Sequence, residues 1–129
     1  MSLAELSIFV VGINYANEDG SDRRTELGRL APGDPVELRR EPENKHDPDA
    51  VAVFSGRGAQ VGYLPAAFCK EIGQRMLAEP YAAVFHWLGE QVAAIRIRFG
   101  GGEPTLPQDH EPREPGDFFP DADGPMWGA

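Results

Sequence analysis

Residues 91–99 alternate in side-chain character. Ala93, Ile95, Ile97 and Phe99 fall on one face of an extended chain, and Ala94, Arg96 and Arg98 fall on the other. Successive strand residues point to opposite sides, so such a segment buries one face only and needs a sheet to bury it in. Further runs rich in β-branched and aromatic residues supply that sheet, at 6–11, 36–39, 50–54, 60–64 and 81–88. Gly89-Glu90 joins the last two strands as a hairpin, and Ser55-Gly56-Arg57-Gly58-Ala59 joins 50–54 to 60–64. Pro35 is tolerable only at the start of its strand, which turns Val36 and Leu38 inward. Gly62, inside a strand, leaves room for a bulge or a close backbone approach.

Two segments read as helical. Residues 65–77 open on Pro65 and repeat apolar side chains at Phe68, Ile72 and Met76, the spacing of a helix packed by one face on the sheet. Gly73 within it marks either a tight contact or a fraying end. Residues 25–30 allow a short helical turn with Leu27 and Leu30 on one side, stopped by Pro32-Gly33-Asp34-Pro35. The class expected is mainly β with α (α+β): six strands, one principal helix and a short helical turn.

The connection between the strands at 36–39 and 50–54 is long. It uses about ten residues where a simple hairpin uses two to five. Pro42 and Pro48 fix φ, and Asn44 and Asp47 can accept hydrogen bonds from backbone N–H groups one or two residues onward. Such a loop is ordered without apolar packing. It reads either as a rigid turn capping the sheet or as a polar recognition loop with Asn44 and His46 facing a ligand.

Formal charge is −9 over 129 residues, which argues against a general polyanion binder. Its distribution is uneven. Residues 1–100 hold 14 acids and 11 bases, whereas 101–129 hold 7 acids and Arg113 alone. After Gly100-Gly101-Gly102, six prolines and those acids describe a disordered or loosely docked tail at 101–129. The pairs Phe118-Phe119 and Met126-Trp127 make this tail either a solubilising extension or a short segment that docks on the domain or on a protein partner. Residues 1–100 are expected to form one domain. No stretch of eighteen apolar residues or basic leader is present, so the expectation is a cytoplasmic protein with no membrane partner.

Catalytic motifs are absent: no phosphate loop, His-Glu-x-x-His pair or Gly-x-Ser-x-Gly elbow occurs. His46, His86 and His110 lack metal spacing, so no metal or other cofactor is expected. Cys69 beside the helix stripe reads as a small buried hydrophobe, with a nucleophile as the alternative. Arg23 and Arg24, in a loop rich in Asn, Asp, Gly and Ser, are either solvated charges or a phosphate-contacting pair. Arg96 and Arg98 divide in the same way, about 6–7 Å apart along one strand face. Tyr63 reads as packed, hydrogen-bonded through its hydroxyl, or facing a ligand.

Taken in order, Val11-Gly12-Ile13-Asn14-Tyr15, Pro32-Gly33-Asp34-Pro35-Val36-Glu37-Leu38, the segment 41–53 and Gln60-Val61-Gly62-Tyr63-Leu64-Pro65 resemble the HIRAN domain family over residues 6–99. The most specific part is Asn44-x-x-Asp47-x-x-Ala50 followed by Val61-Gly62-Tyr63-Leu64-Pro65. The resemblance implies a small six-stranded barrel related to oligonucleotide-binding folds. It further implies capture of single-stranded DNA by its 3′ end, a role often fused to fork-remodelling helicases. A protein-interaction domain with weak or lost nucleic-acid binding is the alternative.

Residue roles follow from the same resemblance. Asn14 and Tyr15 match the polar-plus-aromatic positions after the first strand, with Tyr15 stacking on a terminal base. Asn44 and Asp47 match the pocket loop, Asp47 accepting from the terminal hydroxyl. His46 stands at an aromatic position and Tyr63 at a hydrogen-bonding one. Ala66 stands where DNA-binding relatives carry a phosphate-contacting lysine, so Arg23, Arg24, Arg96 and Arg98 are the remaining candidates for phosphate contact.

Overall fold

The computed structural model describes residues 4–106. All six expected strands form: β1 (Glu5–Val10), β2 (Pro35–Arg40), β3 (Val51–Ser55), β4 (Gln60–Tyr63), β5 (Tyr81–Leu88) and β6 (Ala93–Phe99). They build one antiparallel sheet in the order β1-β6-β5-β2-β3-β4. Two helices accompany it, α1 (Arg23–Leu27) and α2 (Ala66–Ala78). The fold class is α+β.

The closed barrel needs correction. The sheet curls until its edges, β1 and β4, approach, but they meet through one bridge beyond the end of β1. There Val11 N donates to Tyr63 O at 2.8 Å and Tyr63 N to Val11 O at 3.0 Å. The result is a half-barrel with a single stitch. Gly62 permits that stitch, because a Cβ there would lie 2.5 Å from Val11 O and 2.6 Å from Val10 Cγ1. Any side chain would push the edges apart.

The alternation along β6 is realised from Ile95 onward, whereas Ala94 on the opposite face is also buried, in a second cluster with Phe9, Trp87 and Val92. Ala93, Ile95, Ile97 and Phe99 are buried in the main core with Ile8, Val10, Leu38, Val51, Val53 and Phe85. Cys69 and Ile72 of α2 join that core, with Phe68 and Met76 partly buried beside them, so the buried helix stripe lies about one residue from the expected one. Cys69 is 2% exposed, and burial pushes its thiol pKa up, as suits a buried hydrophobe. Gly73 is not a fraying end, since α2 runs on to Ala78, and a Cβ there would meet Arg40 Nε at 3.4 Å, an ordinary contact.

Helix α1 starts two residues earlier than expected because Asp22 caps it, its carboxylate accepting from Thr25 N at 2.9 Å. Leu27 is buried and Leu30 packs against the core. One feature was not legible locally: Glu26 on α1 is 5% exposed. It accepts from Ser55 Oγ at 2.7 Å and from Arg57 Nε at 2.8 Å. The Arg57 hydrogen bond outweighs burial and holds this carboxyl below its ordinary pKa. α1 is thereby locked to the β3–β4 hairpin. No described helix is long and apolar enough to cross a membrane. Phe118, Phe119, Met126 and Trp127 lie outside the described residues.

Candidate functional site

The loop at 41–50 is ordered by its own polar side chains. Asn44 Oδ1 accepts from His46 N at 2.8 Å and Asp47 N at 3.0 Å, while Asn44 Nδ2 donates to Glu41 Oε1 at 2.9 Å. Asn44 is therefore consumed in shaping the loop. Asp47 Oδ1 accepts from Asp49 N at 2.9 Å, and its Oδ2 has no hydrogen bond among the described residues. His46 is exposed. Tyr63 donates its hydroxyl to the same Glu41 Oε1 at 3.0 Å, which ties the loop to β4.

Across from this loop, Arg23 reaches back over the turn after β1. Its Nε donates to Asn17 Oδ1 at 2.7 Å and its Nη1 to Gly12 O at 2.9 Å. The guanidinium carbon sits 5.6 Å from the Tyr63 ring centroid, within cation–π range. Gly12, at φ 72°, makes this turn possible. A Cβ there would be 3.5 Å from Arg23 Nη1 and 3.8 Å from Tyr15 Cδ2, so the ring of Tyr15 and the guanidinium flank one backbone position. Tyr15 is 70% exposed, an unusual setting for a large ring.

A cleft of about 560 Å³ runs between these parts, lined by Arg23, Asn44 and Tyr63 together with Asn17, Glu41 and Phe54. Glu18 and Asp19 also line it, so three acids face one cation. The Ser21 hydroxyl and backbone N–H hold Asp19 below its ordinary pKa, keeping it charged. Binding here must rest on stacking and hydrogen bonds more than on net positive charge.

The remaining predicted residues lie elsewhere. Arg24 donates to Glu90 O and Gly89 O, both at 2.9 Å, and Asn14 Nδ2 donates to Glu90 O at 3.2 Å. Both pin the β5–β6 turn. Arg96 Nη2 donates to Glu5 Oε2 at 2.7 Å, and Arg98 Nη1 to Glu5 Oε1 at 3.1 Å. Glu5 also accepts from Thr105 N at 2.7 Å, which fastens the segment after β6 across this face. Burial raises the Glu5 carboxyl, but the bonds from Thr105, Arg96 and Arg98 together lower it to about 2. Ala66 is exposed at the start of α2 and supplies no cation.

Sequence reasoning missed Asn17, Glu41 and Phe54. Asn17 Nδ2 donates to Gln60 O at 2.9 Å, bridging the 12–22 loop to β4. Glu41 sits in the resemblance-bearing segment, yet its role depends on Tyr63, 22 residues away. Among the described residues no group of three His, Cys, Asp or Glu side chains could hold a metal ion.

The HIRAN domain family model matches residues 3–88, two thirds of the chain. The chain belongs to the HIRAN domain family. Among solved structures, the crystal structure of the HIRAN domain of human HLTF is similar at TM-score 0.61 and 22% identity, covering 74% of each chain. A Lactobacillus plantarum protein is similar at TM-score 0.58 and 22% identity, covering 74% of this chain and 95% of its own. The NMR structure of the HLTF HIRAN domain in its DNA-bound conformation is similar at TM-score 0.53 and 22% identity, again over 74% of each chain. No curated protein sequence matches. The similarity to those structures is one of fold; of the predicted residues Arg23, Asn44 and Tyr63 line the cleft, whereas Tyr15, His46 and Asp47 are not among its lining residues.

Proposed function

We propose that this chain binds single-stranded DNA without chemical turnover and takes the 3′ end at the cleft between the 12–22 and 41–50 loops. The observation that carries this reading is Tyr15, a ring 70% exposed that flanks Gly12 together with Arg23, itself a cleft-lining residue, in a family with a member solved in a DNA-bound conformation. Tyr15 stacks on the terminal base, an interaction worth about 1–3 kcal/mol. His46 offers a second ring or a hydrogen bond. Asp47 Oδ2 accepts from the terminal hydroxyl, while Asn44 and Glu41 keep the loop in shape. Arg23, braced on Tyr63, faces a phosphate.

A second reading has a specific observation behind it: the three acids in the cleft and the absent cation at Ala66 suit a protein-interaction domain with weak nucleic-acid affinity. Fluorescence anisotropy separates the two. An oligonucleotide ending in a 3′ hydroxyl is expected to bind about tenfold more tightly than its 3′-phosphate twin, because the phosphate meets the Asp47 carboxylate with like charge. Failure of both to bind below about 0.1 mM at low salt, the weak end of nonspecific affinity, rejects the DNA reading and leaves the second.

A further inference from the structure

The cleft does not end at Tyr63. Phe54 lines it too, on the outward face of β3, and there Arg39 of β2 sits over the ring with its guanidinium carbon 3.9 Å from the centroid. Register explains the placement. Arg39, Ala52 and Tyr63 stand in one row across β2, β3 and β4, and Glu37, Phe54 and Gln60 stand in the next. The register shift beside Phe54 is what aligns the second row: it sends Val61 into the core and leaves Gln60 opposite Phe54. Along β2 and β3 the rows are about 6–7 Å apart, the scale of one step along an extended nucleic-acid strand.

Arg39 is held for display. Its Nη2 pairs with Glu37 Oε1 at 3.1 Å, yet the Arg39 side chain remains 46% exposed. The guanidinium is backed by Phe54 at cation–π distance, and an Arg plane is a surface on which bases stack.

We propose that Arg39 and Phe54 form a second nucleotide subsite, in which a base upstream of the captured end stacks on the Phe54-backed guanidinium. This rests on the single-stranded DNA reading above and extends it from an end pocket to a track over β3. The subsite reads no base identity, since every base has a stacking face; it adds affinity with strand length.

The test is anisotropy with a length series of oligothymidylates, from the dinucleotide upward, on the full chain and on Arg39→Lys and Phe54→Ala. The wild-type protein is expected to tighten with length until the second subsite is filled. Arg39→Lys, outside the cleft lining, is expected to match wild type on the dinucleotide and to lose about five- to tenfold on longer strands; Phe54→Ala, within the lining, is expected to lose at least as much on longer strands. Arg39→Lys keeps the charge and the fold while removing the plane, so it separates stacking from phosphate attraction. If wild type binds and tightens with length while both variants follow it throughout, the subsite is overturned and the end-binding reading stands. If wild type binds no oligonucleotide, both fall together.

Discussion

Two faces of this molecule carry arginines on outward positions, and they end in opposite chemistry. On β6, Arg96 and Arg98 meet Glu5, which β1 delivers by register: Glu5 lies opposite Arg98 and Ser7 opposite Arg96. Their guanidiniums serve that carboxylate and the carbonyls of Thr105 and Gly101. Around the cleft, Arg23 and Arg39 lie over the aromatic rings of Tyr63 and Phe54. Both also bond through the guanidinium edge, Arg23 to Asn17 and Gly12 and Arg39 to Glu37, so what a guanidinium over a ring keeps for a ligand is its outer plane. The same residue type thus builds a clasp on one face and a platform on the other.

The sharpest break targets the stitch that brings β1 and β4 together at the cleft. Gly62→Ala puts a methyl group into Val11 O and Val10, so a stability loss of about 3 kcal/mol is expected in chemical denaturation, with DNA binding lost as the Arg23–Tyr63 stack separates. A wild-type denaturation midpoint would show that the edges can part without cost.

Next comes a direct contrast of the two faces. Tyr15→Ala is expected to weaken single-stranded DNA binding by about 2 kcal/mol, whereas the Arg96→Ala/Arg98→Ala double variant leaves affinity within twofold. The reverse order in a titration would move the binding face to β6.

The clasp itself is read by pH. The Glu5 pKa is lowered to about 2, so the unfolded chain takes up the proton first as pH falls. The stabilisation is complete above pH 4.5, the ordinary value, and is lost as pH drops towards 2. At neutral pH Glu5→Gln is expected to cost about 1–2 kcal/mol, screening included, and to flatten the acid limb of the stability curve. An unchanged limb would mean the clasp adds nothing.

The smallest effect is on salt dependence. With Arg23 the one cation lining the cleft, a slope of about −0.7 per phosphate predicts roughly a threefold loss of affinity over a fourfold rise in salt. A slope several times steeper would bring cations from outside the cleft into the interface.

Much of this was legible beforehand. The six strands, the long helix, Pro35 at a strand start and the close approach at Gly62 all follow from local period and backbone permission. Asn44 and Asp47 order their loop as short polar side chains do, with the reach being two or three residues. The barrel expected from family resemblance is a half-barrel, because closure depends on how far the sheet curls. Glu26 was missed because its partners Ser55 and Arg57 lie 29 and 31 residues away.

Sequence alone determined which residues face inward, since alternation along a strand is a property of the chain's own period and needs no partner. It also determined the loop that carries Asn44, His46 and Asp47. Tertiary structure alone decided what each arginine meets, because a guanidinium's chemistry is set by the group that the fold places beside it. For Arg96 that group is a carboxylate 91 residues away; for Arg23 it is the ring of Tyr63.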